Sequence, residues 1–189
     1  MQEEVQALFP VGRPLLLLSV LWIVAVGGIL FLVGMNGRSL VGALFSLVLL
    51  WLSYLDLRDG FLYDAITVPF AAVGIVFSLM GLLVPIGNAL IGGTLCGVLF
   101  YCVYIAARGG LGGGDVKLAI GLGVWLGWEA AIVAVWIAFL LGGAAAVFLL
   151  AARRRGRHDG IPFGPFLSLG GYIGFVVGDQ LWQIYWGIL

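Results

Sequence analysis

Long apolar runs, separated by short polar clusters, organise this 189-residue chain. The first, Leu15 to Val33, carries no charge over 19 residues, enough helix to cross a hydrocarbon core of roughly 30 Å. A cleaved signal peptide competes with this reading. The length of the run, the preceding Glu3 and Glu4, and the lack of a small-residue cleavage site after it favour a spanning helix. A turn at Gly34 to Arg38 leads into a second run, Ser39 to Leu55, and then into the charged cluster Asp56, Arg58, Asp59 and Asp64. Asp64 stands before the third run, Ala65 to Val84, where it is expected to cap the first turn of a helix. Pro85 and Gly87 are expected to close that helix.

The fourth run, Ile86 to Ala107, ends at Arg108 and passes into a stretch in which all but Leu111 of residues 109–114 are glycine, followed by Asp115. So much glycine predicts a loop rather than regular helix. From Val116 to Ala152 the chain is apolar for 37 residues except for Lys117 and Glu129, too long for one span and short for two. A break near Gly127 to Glu129 resolves this, leaving a short segment of roughly 18 Å over Asp115 to Leu126 and a full span over Ala130 to Ala152. A polar loop of Arg153, Arg154, Arg155, Arg157, His158 and Asp159 precedes a last apolar segment, Phe166 to Trp186. The expectation is an all-α, polytopic transmembrane bundle of six to seven segments, one of them short, forming one membrane domain over residues 1–189.

Composition agrees: 63% of residues are hydrophobic and 10% charged, which is incompatible with a polar surface all round. Nine basic and nine acidic residues cancel, so no global field recruits nucleic acid. The positions of the basic residues say more than their sum. Arg13, Arg58, Arg108, Lys117 and the four loop arginines fall on one side and Arg38 alone on the other, which puts the N-terminus and both acid-bearing loops in the cytoplasm. Cys96 and Cys102, six residues apart in one apolar run, are about 240° apart around a helix and are read as small buried residues rather than a zinc pair. The pairs Gly93 and Gly97, Gly123 and Gly127, and Gly174 and Gly178 suit close helix packing within the chain. Asp179 is expected to snorkel beside Gln180 and Gln183, and several of the seven tryptophans lie near span ends, where indoles favour the interface.

Two acids on one membrane face are the candidate chemistry. Asp56 ends the second segment and Asp115 begins the helix after the glycine loop, so the topology allows them to meet. Two carboxylates at a partly desolvated site do not both ionise easily, and a pair sharing one proton can act as general acid and base on a bound water. The bland reading makes them exposed helix-end ion pairs, Asp56 with Arg58 and Asp115 with Lys117. The glycine run suits an extended peptide laid beside Asp115. It does not suit a phosphate, since no Lys-Ser or Lys-Thr follows at the required spacing. A metalloprotease or Ser-His mechanism needs histidine within the bundle, and the single histidine is His158 in the arginine-rich loop. Among hydrolytic chemistries this leaves the carboxylate mechanism, with no metal or cofactor required.

Three ordered motifs sharpen the reading. Gly112-Gly113-Gly114-Asp115-Val116-Lys117-Leu118 resembles the GxGD motif of the type IV prepilin peptidases and their archaeal preflagellin relatives. The stretch Asp56 to Pro69 is similar to that family's first-aspartate segment, with Tyr63 where the family usually has proline. Ile161 to Leu167 resembles its late IPFGPF segment. The resemblance implies that Asp56 and Asp115 are catalytic aspartates, with Gly112, Gly113, Gly114, Lys117, Arg58 and Asp64 as supporting or substrate-binding candidates. It further implies a prepilin-like substrate, cut at the cytoplasmic face between a short basic leader and a hydrophobic helix that stays in the membrane. The partners are then that precursor and the membrane lipids. Many bacterial members carry an insert with paired CxxC motifs linked to N-methylation; the chain has none, so leader cleavage without methyl transfer is expected. Two rival classes fit the composition: a non-catalytic membrane scaffold, and a small transporter using the acids as a proton relay.

Overall fold

The computed structural model describes residues 13–107, 110–152 and 162–188. Glu3, Glu4, Arg108, Gly109, the basic loop from Arg153 to Asp159, and Ile161 lie outside the described residues. Among the described residues six helices make up the fold: α1 (Arg13–Val33), α2 (Gly37–Asp59), α3 (Asp64–Leu79), α4 (Ile86–Ala106), α5 (Gly113–Ala151) and α6 (Gly164–Ile188). Among the described residues, α1, α2, α4 and α5 are each long and apolar enough to cross a membrane, and α3 is a shorter apolar helix. The fold class read from the sequence is therefore observed.

α5 is not one continuous rod. Gly127 breaks it at φ +76° and ψ 173°, in the left-handed half of backbone space that glycine tolerates. The neighbours show that the chain doubles back there. Before the break, Leu122 and Leu126 lie against Gly171 and Gly174 of α6; after it, Ala130, Ala134 and Ala138 pass Gly178, Gly174 and Gly170 in the opposite order, and Gly142 reaches Phe163. The predicted split near Gly127 is thus present as a helical reversal. Counting equal rises on either side of the break sets Asp115 level with Phe139 on the return leg, well short of that leg's end at Ala151.

Other boundaries differ from the pattern-based expectation. α3 stops at Leu79, and its chain turns at Met80 and Gly81, the latter at φ +72°, before the apolar run is exhausted. Gly87 lies inside α4 rather than closing α3. Asp64 is the first residue of α3 and not its cap: Tyr63 occupies the cap position without a side-chain bond, and its carbonyl accepts the Ile66 and Thr67 N–H groups. α2 is capped as a box, Asn36 accepting from the Ser39 N–H while the Ser39 hydroxyl oxygen accepts the Asn36 N–H.

Close approach through glycine holds the bundle together. A Cβ at Gly123 would lie 2.2 Å from the Gly92 carbonyl oxygen, and Gly93 and Gly97 sit on Val124 and Ile120, so α4 and the outgoing leg of α5 touch backbone to backbone. The small-residue pairs face neighbours within the chain, as expected. Trp125 is buried, not interfacial: its indole N–H donates to the Phe70 carbonyl (2.7 Å), its ring stacks on Phe70 at 5.1 Å, and Gly74 leaves room for it. Cys96 is buried but Cys102 is exposed, which corrects the expectation for the second thiol and follows from their angular separation on α4. Asp179 does not merely snorkel. It pairs with Arg38 at 3.2 Å, tying α6 to the start of α2, with the guanidinium 5.4 Å over the Phe175 ring.

Candidate active site

Both acids sit where one helix end meets another. α2 ends at Gly60, whose φ of +70° suits a left-handed cap and whose N–H donates to the Asp56 carbonyl at 2.9 Å. That cap fixes the last turn of α2, and Asp56 projects from it into the protein, 5% exposed. Its Oδ2 accepts the N–H of Gly164 at 2.8 Å. Gly164 is the first residue of α6, so Asp56 takes one of the unpaired donors at a helix N-terminus, where the backbone dipoles also favour an anion. A Cβ at position 164 would stand 2.7 Å from Asp56 Oδ2 and 3.0 Å from its Cγ. Glycine is what permits this contact.

Asp115 lies in the first turn of α5 and is 7% exposed. Its Oδ2 accepts the Gly112 N–H at 3.0 Å, while its own N–H donates to the Gly112 carbonyl at 3.1 Å. Gly112 and Asp115 thus close a reciprocal loop over four residues, a backbone version of a capping box. The other oxygen, Oδ1, is buried with no hydrogen-bond partner among the described residues. The two carboxylates are near enough to interact electrostatically. Their segments meet at Gly114, where a Cβ would lie 2.6 Å from the Leu62 Cβ and 2.9 Å from the Leu62 carbonyl oxygen. Leu62 and Leu111 are both buried beside them.

Of the residues singled out in the sequence, the structure brings together Asp56, Asp115, Gly112 and Gly114. Gly113 borders open space. Arg58 does not touch Asp56: it forms a two-pronged pair with Asp59, at 2.7 Å for each bond, and lies 5.6 Å over the Tyr54 ring. Lys117 pairs with Asp64 rather than with Asp115, both side chains well exposed. Neither of the helix-end ion pairs of the bland reading forms, because each basic residue has a nearer exposed partner. Tyr63 adds its hydroxyl to Asp59 at 3.1 Å, a bond that raises the phenol's pKa above its ordinary value. Gly164 is the site residue that sequence reasoning passed over. Its signal was the Pro162-Phe163-Gly164-Pro165 stretch, quoted as a motif but not assigned a task. Phe163 anchors that stretch, with ring centroids 5.4 Å from Phe139 and 6.1 Å from Phe100.

The arrangement offers two buried carboxylates, each held through one oxygen by a backbone N–H. Such a pair can take a proton from water at one member and supply one at the other. No cluster of three histidine, cysteine, aspartate or glutamate side chains suited to a metal ion is found among the described residues.

Residues 43–147 match the type IV leader peptidase family, a span that contains both acids and the glycine loop. The chain is 33% identical over 153 residues to the prepilin leader peptidase/N-methyltransferase of Aeromonas salmonicida, covering 76% of this chain and 53% of that protein. It is 37% identical over 169 residues to the protein of that name from Burkholderia pseudomallei, covering 85% and 53%. For the Neisseria gonorrhoeae protein the identity is 33% over 156 residues, with coverages of 79% and 53%. The chain spans about half the length of these curated relatives. No solved structure matches it.

Proposed function

The chain belongs to the type IV leader peptidase family, and from that premise we propose that it is a membrane aspartic endopeptidase that removes short basic leaders from prepilin-like precursors, with Asp56 and Asp115 as the catalytic pair. The observation that carries the reading is a pair of buried carboxylates from segments far apart in the chain, each fixed by a backbone N–H and near enough to feel the other's charge, where Gly114 abuts Leu62. One acid, unprotonated, draws a proton from a bound water; the resulting nucleophile attacks the carbonyl carbon of the scissile peptide. The other acid, protonated, donates to the departing amine nitrogen, so a single shared proton serves both steps. The unpartnered Asp115 Oδ1 is free to meet the water or the peptide.

The excess of basic residues beside these segments supports a cytoplasmic location for the pair, in the inner membrane, with the N-terminus on the same side. Arg58, Lys117 and Asp64 enter the proposal only as surface neighbours of the site. The test is co-expression with a prepilin precursor, read as a gel shift with the new N-terminus sequenced, for the parent, Asp56→Asn and Asp115→Asn. Cleavage by the parent and by neither variant is expected. Cleavage that survives both substitutions in folded protein would refute the pair.

A further inference from the structure

A groove of about 270 Å³ runs between α1, α2 and α6, walled by Leu21, Val24, Leu49, Leu50, Pro165 and Leu169 among others. One end is closed where the Tyr172 hydroxyl donates to the Ala25 carbonyl at 2.9 Å, α6 to α1. The other end is formed by Ser53 and Pro165. Ser53 lies three residues before Asp56, on the same face of α2, and Pro165 follows Gly164, whose N–H rests on Asp56. The groove therefore leads toward Asp56. Sideways it opens to the bilayer, because Leu21, Val24 and Leu169 are exposed.

Its lining is not purely apolar. Ser168 stands one helical turn below Gly164 and is 5% exposed, and its Oγ has no hydrogen-bond partner among the described residues. Ser53 stands one turn below Asp56 and also lines the groove. A buried hydroxyl without a partner in a membrane helix is costly. These two flank the place where a helix would have to unwind for its peptide bond to reach the acids, and an unwound backbone in lipid needs partners for its own N–H and C=O groups. A lipid acyl chain fills the apolar walls equally well but gives Ser168 nothing.

Resting on the leader-peptidase reading, we propose that this groove receives the first apolar residues after the scissile bond, their side chains against Leu21, Val24, Leu49 and Leu169 and their freed backbone groups on Ser53 and Ser168. From Ser46 to Ser53 the groove measures about 10 Å along α2, so it holds about two turns of the precursor helix and leaves the rest in lipid. Entry is lateral, from the bilayer, between α1 and α6.

The test uses the full chain in membranes with a co-expressed precursor carrying a short basic leader. A photo-crosslinking benzoyl-phenylalanine is placed at Leu169, and separately, as a control, at Val133 of α5, which lines a different groove with Leu181 and Tyr185 of α6, both in an Asp115→Asn background that holds the precursor uncut. The Leu169 probe is expected to give an adduct mapping within the first two turns after the leader, and the Val133 probe none. In the active background, Ser53→Leu is expected to raise KM at least tenfold with kcat within threefold, and Ser168→Ala to raise KM severalfold. Adducts at Leu169 only with lipid, with a second copy or with the chain's own residues, while the parent still cleaves, would overturn the groove and leave the peptidase reading standing. An unchanged KM for Ser53→Leu would do the same. Failure of the parent itself to cleave overturns the peptidase reading, and this inference with it.

Discussion

Asp115 is held by its own loop, through Gly112 three residues earlier, whereas Asp56 is held by a helix that begins 108 residues further along the chain. Both end buried, each with one oxygen on a backbone N–H at a helix N-terminus. The difference is in what must fold first. The Gly112–Asp115 loop is set by local geometry as soon as α5 forms its first turn. The Asp56 contact exists only when α6 has packed against α5 and delivered Gly164. One half of the site is thus a local motif and the other a product of the whole bundle, so damage to α6 packing is expected to reach Asp56 and spare Asp115.

The widest break in that comparison is removal of either acid. Asp56→Asn and Asp115→Asn are each expected to lower cleavage by at least about 1,000-fold, and the double variant little further, because the two act as one unit. Additive losses in quantitative cleavage assays would mean that the acids act separately. The comparison itself is sharpened by two alanines. Gly164→Ala puts a methyl 2.7 Å from Asp56 Oδ2 and must displace the carboxylate, with an expected loss of about 10- to 100-fold in kcat/KM. Gly112→Ala puts a methyl 3.2 Å from Asp115 Oδ2, which a short loop accommodates, and a loss below about tenfold is expected. Steady-state cleavage of one precursor by both variants decides it; a heavier loss at Gly112 would reverse the assignment of local and global support.

Gly114→Ala tests the seam between the two halves. Its methyl meets the backbone of Leu62 at 2.9 Å and the Leu62 Cβ at 2.6 Å, so the α2–α3 connection has to move. A destabilisation of about 1–3 kcal/mol is expected, read as a lowered thermal midpoint in detergent beside the milder Gly112→Ala. An unchanged midpoint would mean that the seam opens without cost.

What was legible in the sequence follows the same division. The apolar helices, the break at Gly127 and the positions of the two acids near helix ends could be read, because each is a local pattern of hydropathy, glycine or charge; the glycine stretch is only partly loop, since Gly113 and Gly114 already belong to α5. The partners of the charges could not. Arg58 is nearest Asp56 in the chain among plausible ion partners but turns to Asp59, and Lys117 crosses to Asp64 on another helix. Side-chain choice among several reachable carboxylates is decided by three-dimensional distance and exposure. The end of α3 at Leu79 was hidden for a related reason: the apolar run continues past it, and hydropathy does not distinguish a spanning residue from one in a buried or lipid-facing turn. Gly164 was concealed by the distance in sequence to its partner, although the glycine between an aromatic and a proline marked a tight backbone approach. The Arg38–Asp179 pair escaped because each residue alone looks like an interfacial charge.

The smallest expected effect comes from the charges just outside the site. Lys117 and Asp64 bridge the first turns of α5 and α3, but both side chains are well exposed, and water and salt screen such a pair so that its net contribution is small. Lys117→Gln and Asp64→Asn are each expected to change cleavage by less than about twofold, and the double variant to show no coupling beyond the two singles. The effect is further expected to shrink as salt is raised, since screening removes what remains of it. A much larger loss for Lys117→Gln alone, one that Asp64→Asn does not share, would mean that the ammonium leaves Asp64 for the precursor or for Asp115 when substrate binds. The residue would then belong with the acids, and the boundary of the site would lie one helical turn further out than the resting geometry draws it.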